Sequence, residues 1–187
     1  VDALRDLGRV HYRLDQIESS AVLLDQSQKT ARAIGYRKGI VTALFELAAQ
    51  AWERGDLDKT EELAREGLVM AEAEGGRMAK ERAELLIAVT AVDAYRGNLA
   101  SASHGLEEAI DILDSLGQKQ VLSVALCNLG ELNVWQGKLS EAKERGERAL
   151  EIARELDYGI GCSAALRVIG EALMEIGEQE AARLTFD

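Results

Sequence analysis

"NLGELNVWQGKLSEAKERGERALEIA", from Asn128 to Ala153, contains the pattern that decides the fold of this chain. A leucine and a small residue precede an aromatic residue and a glycine, and a charged segment rich in alanine follows. Much the same order occurs in "LAAQAWERGDLDKTEELAREGLVMA", from Leu47 to Ala71. Two copies of one pattern indicate an internal repeat, in which each unit buries the apolar face of the next.

The glycine of this pattern returns at a nearly constant interval. Gly55, Gly97, Gly137 and Gly177 are separated by 42, 40 and 40 residues, and Asp15 lies 40 residues before Gly55. Apolar residues stand eleven and eight positions before each of these turn residues, which is the spacing of one helical stripe. The next position is small in every case: Gly8, Ala48, Thr90, Gly130 and Gly170. Each unit is therefore predicted to be a helix, a short turn and a second helix.

Helix bounds follow from this register. The first helices are predicted near residues 2–13, 39–54, 79–96, 119–136 and 160–176, and the second helices near 17–34, 57–74, 99–116, 139–156 and from 178 onward. The joints between units are "IGYRKG", "EGGRMAK", "LGQKQ" and "LDYGIG", where glycine is expected to end the helix. No proline interrupts these segments, which suits long helices.

This pattern resembles the tetratricopeptide repeat across essentially all of residues 1–187. The resemblance implies an all-α fold, an α-solenoid of antiparallel helix pairs in a right-handed superhelix. Its repeats would cover residues 1–37, 38–77, 78–117, 118–158 and 159–187, the last one truncated. The spacing of about 40 rather than 34 residues resembles the long-helix variety found in bacterial signalling ATPases and transcription activators. The chain is accordingly expected to be part of a longer regulatory protein.

Composition excludes several classes of partner and place. The chain has 33 acidic and 22 basic residues, a net charge of −11, so phosphate backbones and anionic lipid surfaces would repel it. Nucleic acid and membrane are therefore not expected as partners. The cysteines, Cys127 and Cys162, form no C-x-x-C pair, which favours a reducing compartment and predicts a cytoplasmic location.

The sequence contains no pattern that predicts catalysis, a metal or a cofactor. "EGGRMAK" lacks the hydroxyl residue of a phosphate-binding loop. His11 and His104 each lack a second ligand at metal-binding spacing, and we interpret them as a packing residue and a surface residue. Cys127 is interpreted as an inert, semi-buried thiol. An enzyme is not expected.

The tetratricopeptide resemblance implies that the first helices line a concave groove. Positions two, three to four and ten before the turn would face it, and the middle repeats fill them mainly with large apolar side chains: Phe45, Trp52, Ile87, Tyr95, Val134 and Trp135. The outer repeats place Arg5, Tyr12 and Arg13, and Arg167, Met174 and Glu175, at the same positions. We interpret the six apolar residues as a groove that binds a protein or peptide. Alternatively, these side chains only seal neighbouring helices.

Two further expectations follow. A small-molecule effector held in the apolar part of the groove is the alternative function, and a closed pocket about Tyr95 and Trp135 would favour it. The truncated fifth repeat is expected to leave an apolar patch exposed and so to promote self-association. This patch would comprise Leu166, Ile169, Leu173 and Ile176.

Overall fold

The computed structural model describes the backbone of residues 1–186 and the side chains of residues 1–185. It contains ten α-helices, and the described residues include no strand. The helices are α1 Asp2–Arg13, α2 Ile17–Ala33, α3 Arg37–Glu53, α4 Leu57–Ala73, α5 Ala79–Tyr95, α6 Leu99–Ser115, α7 Lys119–Trp135, α8 Leu139–Glu155, α9 Gly159–Ile176 and α10 Gln179–Phe186. A 3-10 turn, Gly75–Met78, precedes α5. The predicted all-α class is confirmed, and every predicted helix begins and ends within two residues of an observed one.

The turns explain why the glycine spacing located the helices. Gly55 and Gly137 have φ angles of 75° and 73°, in the left-handed region that glycine enters without steric cost. The prediction that glycine ends the helix is wrong for the joint "LDYGIG". Its left-handed residue is Asp157 (φ 51°), and Gly159 is instead the first residue of α9. Asp15 (φ 58°) has the same conformation in the first turn. Aspartate is among the few residues that tolerate it.

The chain forms two compact units, Val1–Val92 and Asp93–Asp187, and the boundary between them falls within α5. In unit 1, α1 packs on α2, α2 on α3 and α3 on α4. In unit 2, α6 packs on α7, α7 on α8, α8 on α9 and α9 on α10. Within each unit these helices pack on the helix that follows them along the chain, as the repeat predicted.

The junction between α2 and α3 in unit 1 contains a buried polar connection. Gln50 Nε2 donates to Ser20 Oγ at 2.6 Å, and Ser20 Oγ donates to the carbonyl oxygen of Gly8 at 2.7 Å. Both side chains are buried. Because they bond to each other and to the backbone, they avoid most of the cost of burying polar groups. This connection therefore joins α1, α2 and α3.

Unit 2 fills its junctions with small and branched apolar residues instead. A Cβ atom added to Gly130 would lie 2.6 Å from Val168 Cγ1, and one added to Gly146 would lie 2.7 Å from Ile169 Cγ1. The backbones of α7 and α8 thus approach the side chains of α9 where glycine leaves room. Gly130, the small residue of the sequence pattern, is thus the position where α9 packs closely against α7.

Two expectations about the helical stripe are wrong. Ile169 and Leu173 are buried and Leu166 is half-buried, because α8 and α10 pack on α9. Only Ile176 of the predicted patch is exposed, so the basis for self-association at this end is lost. Leu7, at a core position of the repeat, is 46% exposed. The corresponding residues Leu129 and Ile169 of later repeats are buried.

Candidate functional site

In both units, first helices contact each other along one face: α1 contacts α3 in unit 1, and α7 contacts α9 in unit 2. We call it the first-helix face; it consists of the residues three, six, ten and thirteen positions before the turn residue, with the residue two positions before the turn at its edge. In unit 1, α1 contacts α3 through this face: Arg5 Nη1 donates to Thr42 Oγ1 at 3.2 Å. Tyr12 likewise donates its hydroxyl hydrogen to the carboxylate of Glu53.

The predicted groove residues of unit 1 differ in exposure. Trp52, at the C-terminal end of α3, is 38% exposed. Phe45 and Ile87 are half-buried, and Phe45 packs against the core cluster that includes Leu44 and Ala48. Phe45 therefore contributes both to the core and to the surface, whereas Trp52 lies mainly at the surface.

Charged side chains lie beside these apolar residues. Arg9 Nε is 3.1 Å from Glu46 Oε1, and Lys80 Nζ is 3.6 Å from Glu84 Oε1. Burial raises the pKa of both the Glu46 and Glu84 carboxyl groups. Repulsion by a neighbouring carboxylate, Glu84 for Glu46 and Glu81 for Glu84, raises each pKa further. The nearby cations offset only part of this cost.

Tyr12 lies on this face near the C-terminal end of α1, where it bonds to Glu53 of α3. Burial and its hydrogen bond to Glu53 raise the pKa of the Tyr12 hydroxyl to about 12. Sequence reasoning placed Tyr12 on the face but did not identify its partner, which lies in the next repeat and one position further along the helix.

In unit 2 the corresponding face is more open. Trp135 is 59% exposed and Tyr95 is 71% exposed, while Val134 beside Trp135 is half-buried. Met174, at the position of α9 that matches Val134 of α7, is 58% exposed. Exposed apolar groups of this size on neighbouring helices form a surface on which a partner can bury them.

An ion-pair cluster lies next to these residues. The guanidinium of Arg167 on α9 donates to Glu131 on α7, and its Nη1 donates to Glu171 Oε1 at 3.0 Å. The sequence placed Arg167 at a groove position but did not predict its contacts with Glu131 and Glu171. The repeat spacing does contain a signal. Arg167 stands ten positions before its turn residue, as Arg5 does in unit 1, and Glu131 stands six positions before its own, as Arg9 does.

The reactive side chains show no sign of activation. Cys127 is buried, and its burial raises the pKa of the thiol to about 11, so the thiol stays protonated and weakly nucleophilic at neutral pH. His104 is exposed and His11 is half-buried. Within residues 1–185 no three His, Cys, Asp or Glu side chains converge as metal ligands. None of the described helices combines the length and apolarity needed to cross a bilayer.

The six predicted groove residues are thus divided between the two units. Phe45, Trp52 and Ile87 belong to unit 1, and Tyr95, Val134 and Trp135 to unit 2. Within each unit they lie on first helices, as predicted. The aromatic residues at helix ends are the exposed ones, whereas Phe45, Ile87 and Val134 are half-buried.

Comparison with solved structures identifies proteins of the same fold. BtubC (BKLC) from P. vanneervenii superposes with a TM-score of 0.80 at 18% identity, over 98% of this chain and 76% of that one. A Rap protein complexed with competence and sporulation factor gives 0.72 at 15% identity, over 98% and 60%. Aspartyl phosphate phosphatase F from Bacillus subtilis gives 0.71 at 12% identity, over 98% and 57%. At these identities the likeness shows the fold alone.

Sequence comparison points the same way for the C-terminal part of the chain. The tetratricopeptide repeat family profile matches residues 121–187. No curated protein sequence matches the chain. The matched region includes α7, α8 and α9, whose lengths and register recur in the preceding helices. The profile match identifies tetratricopeptide repeats in residues 121–187, and the solved structures show that the chain shares the fold of such repeat arrays.

Proposed function

We propose that this protein is a non-catalytic module that binds a protein or peptide on its first-helix faces. One observation carries the proposal: both tryptophans of the chain lie on these faces and remain exposed, Trp52 at 38% and Trp135 at 59%. Tryptophan is the residue most enriched among binding hot spots, because it buries a large apolar area while losing little conformational freedom.

The alternative in which these side chains only seal the stack is less favoured by their exposure. A sealing residue would be covered by the neighbouring helix, as Leu129 and Leu132 of α7 are. The small-molecule alternative is also less favoured, because a closed pocket would bury Tyr95 and Trp135, whereas both rings are largely accessible. An open surface suits an extended peptide or a partner helix.

The comparisons support binding in general terms. A Rap protein of the same fold has been solved in complex with competence and sporulation factor, which is an example of this fold carrying a binding function. The solved phosphatase is an example of the fold in a protein named as an enzyme. The protonated thiol of Cys127 gives no support for catalysis here. A signalling role and a cytoplasmic location remain predictions.

Replacing Trp52 and Trp135 singly by alanine tests the proposal. An exposed anchor leaves stability nearly unchanged, so thermal melts should show a loss well below the roughly 3 kcal/mol expected for a buried tryptophan. Binding to the partner should weaken by about 2 kcal/mol, roughly thirtyfold. Val69→Ala is the matched control, because Val69 is an exposed apolar residue on the second helix α4.

The two readouts separate the competing interpretations. Val69→Ala should alter neither stability nor binding. A large fall in melting temperature for both tryptophan variants would show that these side chains seal the stack, and the binding interpretation would then be abandoned.

A further inference from the structure

The first-helix face differs between the two units in its exposed side chains, and those of unit 2 indicate the chemistry of a ligand. Trp135 and Met174 project exposed apolar surface from neighbouring helices, α7 and α9. Tyr95, in the same unit, occupies on α5 the repeat position that Trp135 occupies on α7. An indole ring and a thioether therefore mark one end of this face on α7 and α9, and Tyr95 repeats the aromatic position on α5.

Carboxylates outnumber cations beside this apolar surface. Glu131 and Glu171 share a single guanidinium, that of Arg167. Glu175 is exposed at the position of α9 that matches Trp135, and it adds a third carboxylate to the same end of the face. The three carboxylates and one guanidinium leave a local excess of negative charge.

Unit 2 as a whole reinforces this local excess. Residues 93–187 contain 17 acidic and 9 basic residues, whereas residues 1–92 contain 16 and 13. A surplus of like charge attracts oppositely charged ligands from a distance and repels acidic ones. In unit 1 the first-helix face has its own cations, Arg5 and Arg9 on α1. The negative surplus is therefore concentrated in unit 2.

Exposed aromatic faces beside carboxylates form a surface for a cationic side chain. A guanidinium or ammonium group lies favourably over the face of tryptophan or tyrosine, and a carboxylate can accept its hydrogen bonds. Building on the proposed function, we infer that the first-helix face of unit 2 selects a peptide that presents a lysine or arginine beside an apolar side chain. The apolar side chain contacts Trp135 and Met174, and the cation is balanced by Glu171 and Glu175.

Selection from a random peptide library on the full chain tests this inference. The peptides retained should be enriched in lysine or arginine near an aromatic or aliphatic residue, and acidic peptides should be depleted. For a selected peptide, replacing its lysines and arginines by glutamine should weaken binding about fivefold to tenfold, as expected for contacts of a partly exposed cation. Glu175→Lys should weaken binding of the unmodified peptide by at least as much.

Matched variants separate a local effect from a general charge effect. Glu144→Lys makes the same charge change on the second helix α8, where Glu144 is exposed, and it should leave binding nearly unchanged. Trp135→Phe retains an aromatic face and should retain most of the affinity that Trp135→Ala loses. Circular dichroism melts of all four variants establish that each is folded.

The outcomes distinguish the inference from the function on which it rests. If the unmodified chain retains no peptide, the proposed function itself is contradicted. If it retains acidic or uncharged peptides, or if Glu144→Lys weakens binding as much as Glu175→Lys, the face binds peptides without the selectivity inferred here.

Discussion

Unit 1 and unit 2 place helices in the same register but fill the space between them with different chemistry. Gln50 bonds to Ser20 in unit 1, whereas the same repeat positions in unit 2 hold Leu132 and Ala102, both buried. The half-buried carboxylates Glu46 and Glu84 of unit 1 are replaced at the same repeat positions by Asn128 and Val124 in unit 2. The comparison teaches that the repeat fixes the sizes and positions of the helices, while the polarity of a junction is free to vary.

The two units also divide side-chain volume differently between facing positions. Gly130 in unit 2 faces Val168, and the corresponding positions of unit 1 are Ala48 and Ala88. A smaller residue on one helix is matched by a larger one on the next. Because interiors are close-packed, such changes have to be paired.

The largest expected effect comes from breaking this volume match. Gly130→Ala puts a Cβ atom 2.6 Å from Val168 Cγ1, and valine is too stiff at χ1 to move aside easily. We expect a loss of about 2 kcal/mol, since overpacking exceeds the gain in helix propensity. Urea denaturation measures it.

The double variant recreates the alanine pair of unit 1. Val168→Ala alone should cost about 2 kcal/mol through the cavity that it leaves. Combined with Gly130→Ala, it should cost less than the sum of the two single changes, because the new methyl group fills that cavity. Strict additivity would mean that the two positions do not compensate each other.

A smaller effect is expected from removing the polar connection of unit 1. Gln50→Leu introduces the residue of unit 2 and takes one hydrogen-bond partner from Ser20, so it should cost about 1 kcal/mol. Adding Ser20→Ala should then cost less than Ser20→Ala does in the parent chain, because the hydroxyl has already lost that partner. Denaturation of the four proteins gives the coupling energy, and a value of zero would contradict a shared connection.

The smallest effect concerns pH. Burial and repulsion hold the pKa of Glu84 above its ordinary value of 4.5, so ionising this group disfavours the folded state. The contribution of the protonated Glu84 carboxyl group to stability is complete below about pH 4.5. It is lost as the pH rises through the raised pKa that Glu84 has in the folded state. Glu84→Gln should therefore raise stability at pH 7 by a few tenths of a kcal/mol and leave it unchanged at pH 4.

Thermal melts at the two pH values check this expectation. Glu144→Gln, a similar change on the exposed surface of α8, serves as the control and should give no such difference. Equal gains at both pH values would mean that the Glu84 effect does not arise from titration.

Much of the fold could be predicted because it depends on local sequence. The turn glycines at a spacing of about 40 residues and the apolar residues eleven and eight positions before them located the ten helices of residues 1–186. Turn conformation was less certain, since Asp157 rather than Gly159 ends α8 in the left-handed region. Either residue type is compatible with such a turn, so the pattern alone did not decide between them.

Placement of the candidate site followed only in part. The sequence assigned Trp52 and Trp135 to the first helices because helical periodicity fixes which residues share a face. It could not show that Phe45 also packs in the core, or that Arg167 bridges Glu131 and Glu171. These contacts join residues of different helices, and the periodicity within one helix does not specify them.

By itself the sequence determined the helices, their lengths and their common register, because backbone hydrogen bonds, turn conformation and amphipathic spacing act over a few residues. The tertiary structure alone decided which apolar residues are exposed. Ile169 is buried while Leu7 is not, although both lie eight positions before their turn residues. The physical reason is that burial depends on whether other helices pack against the residue: α8 and α10 both pack on α9, whereas α1 packs mainly on α2.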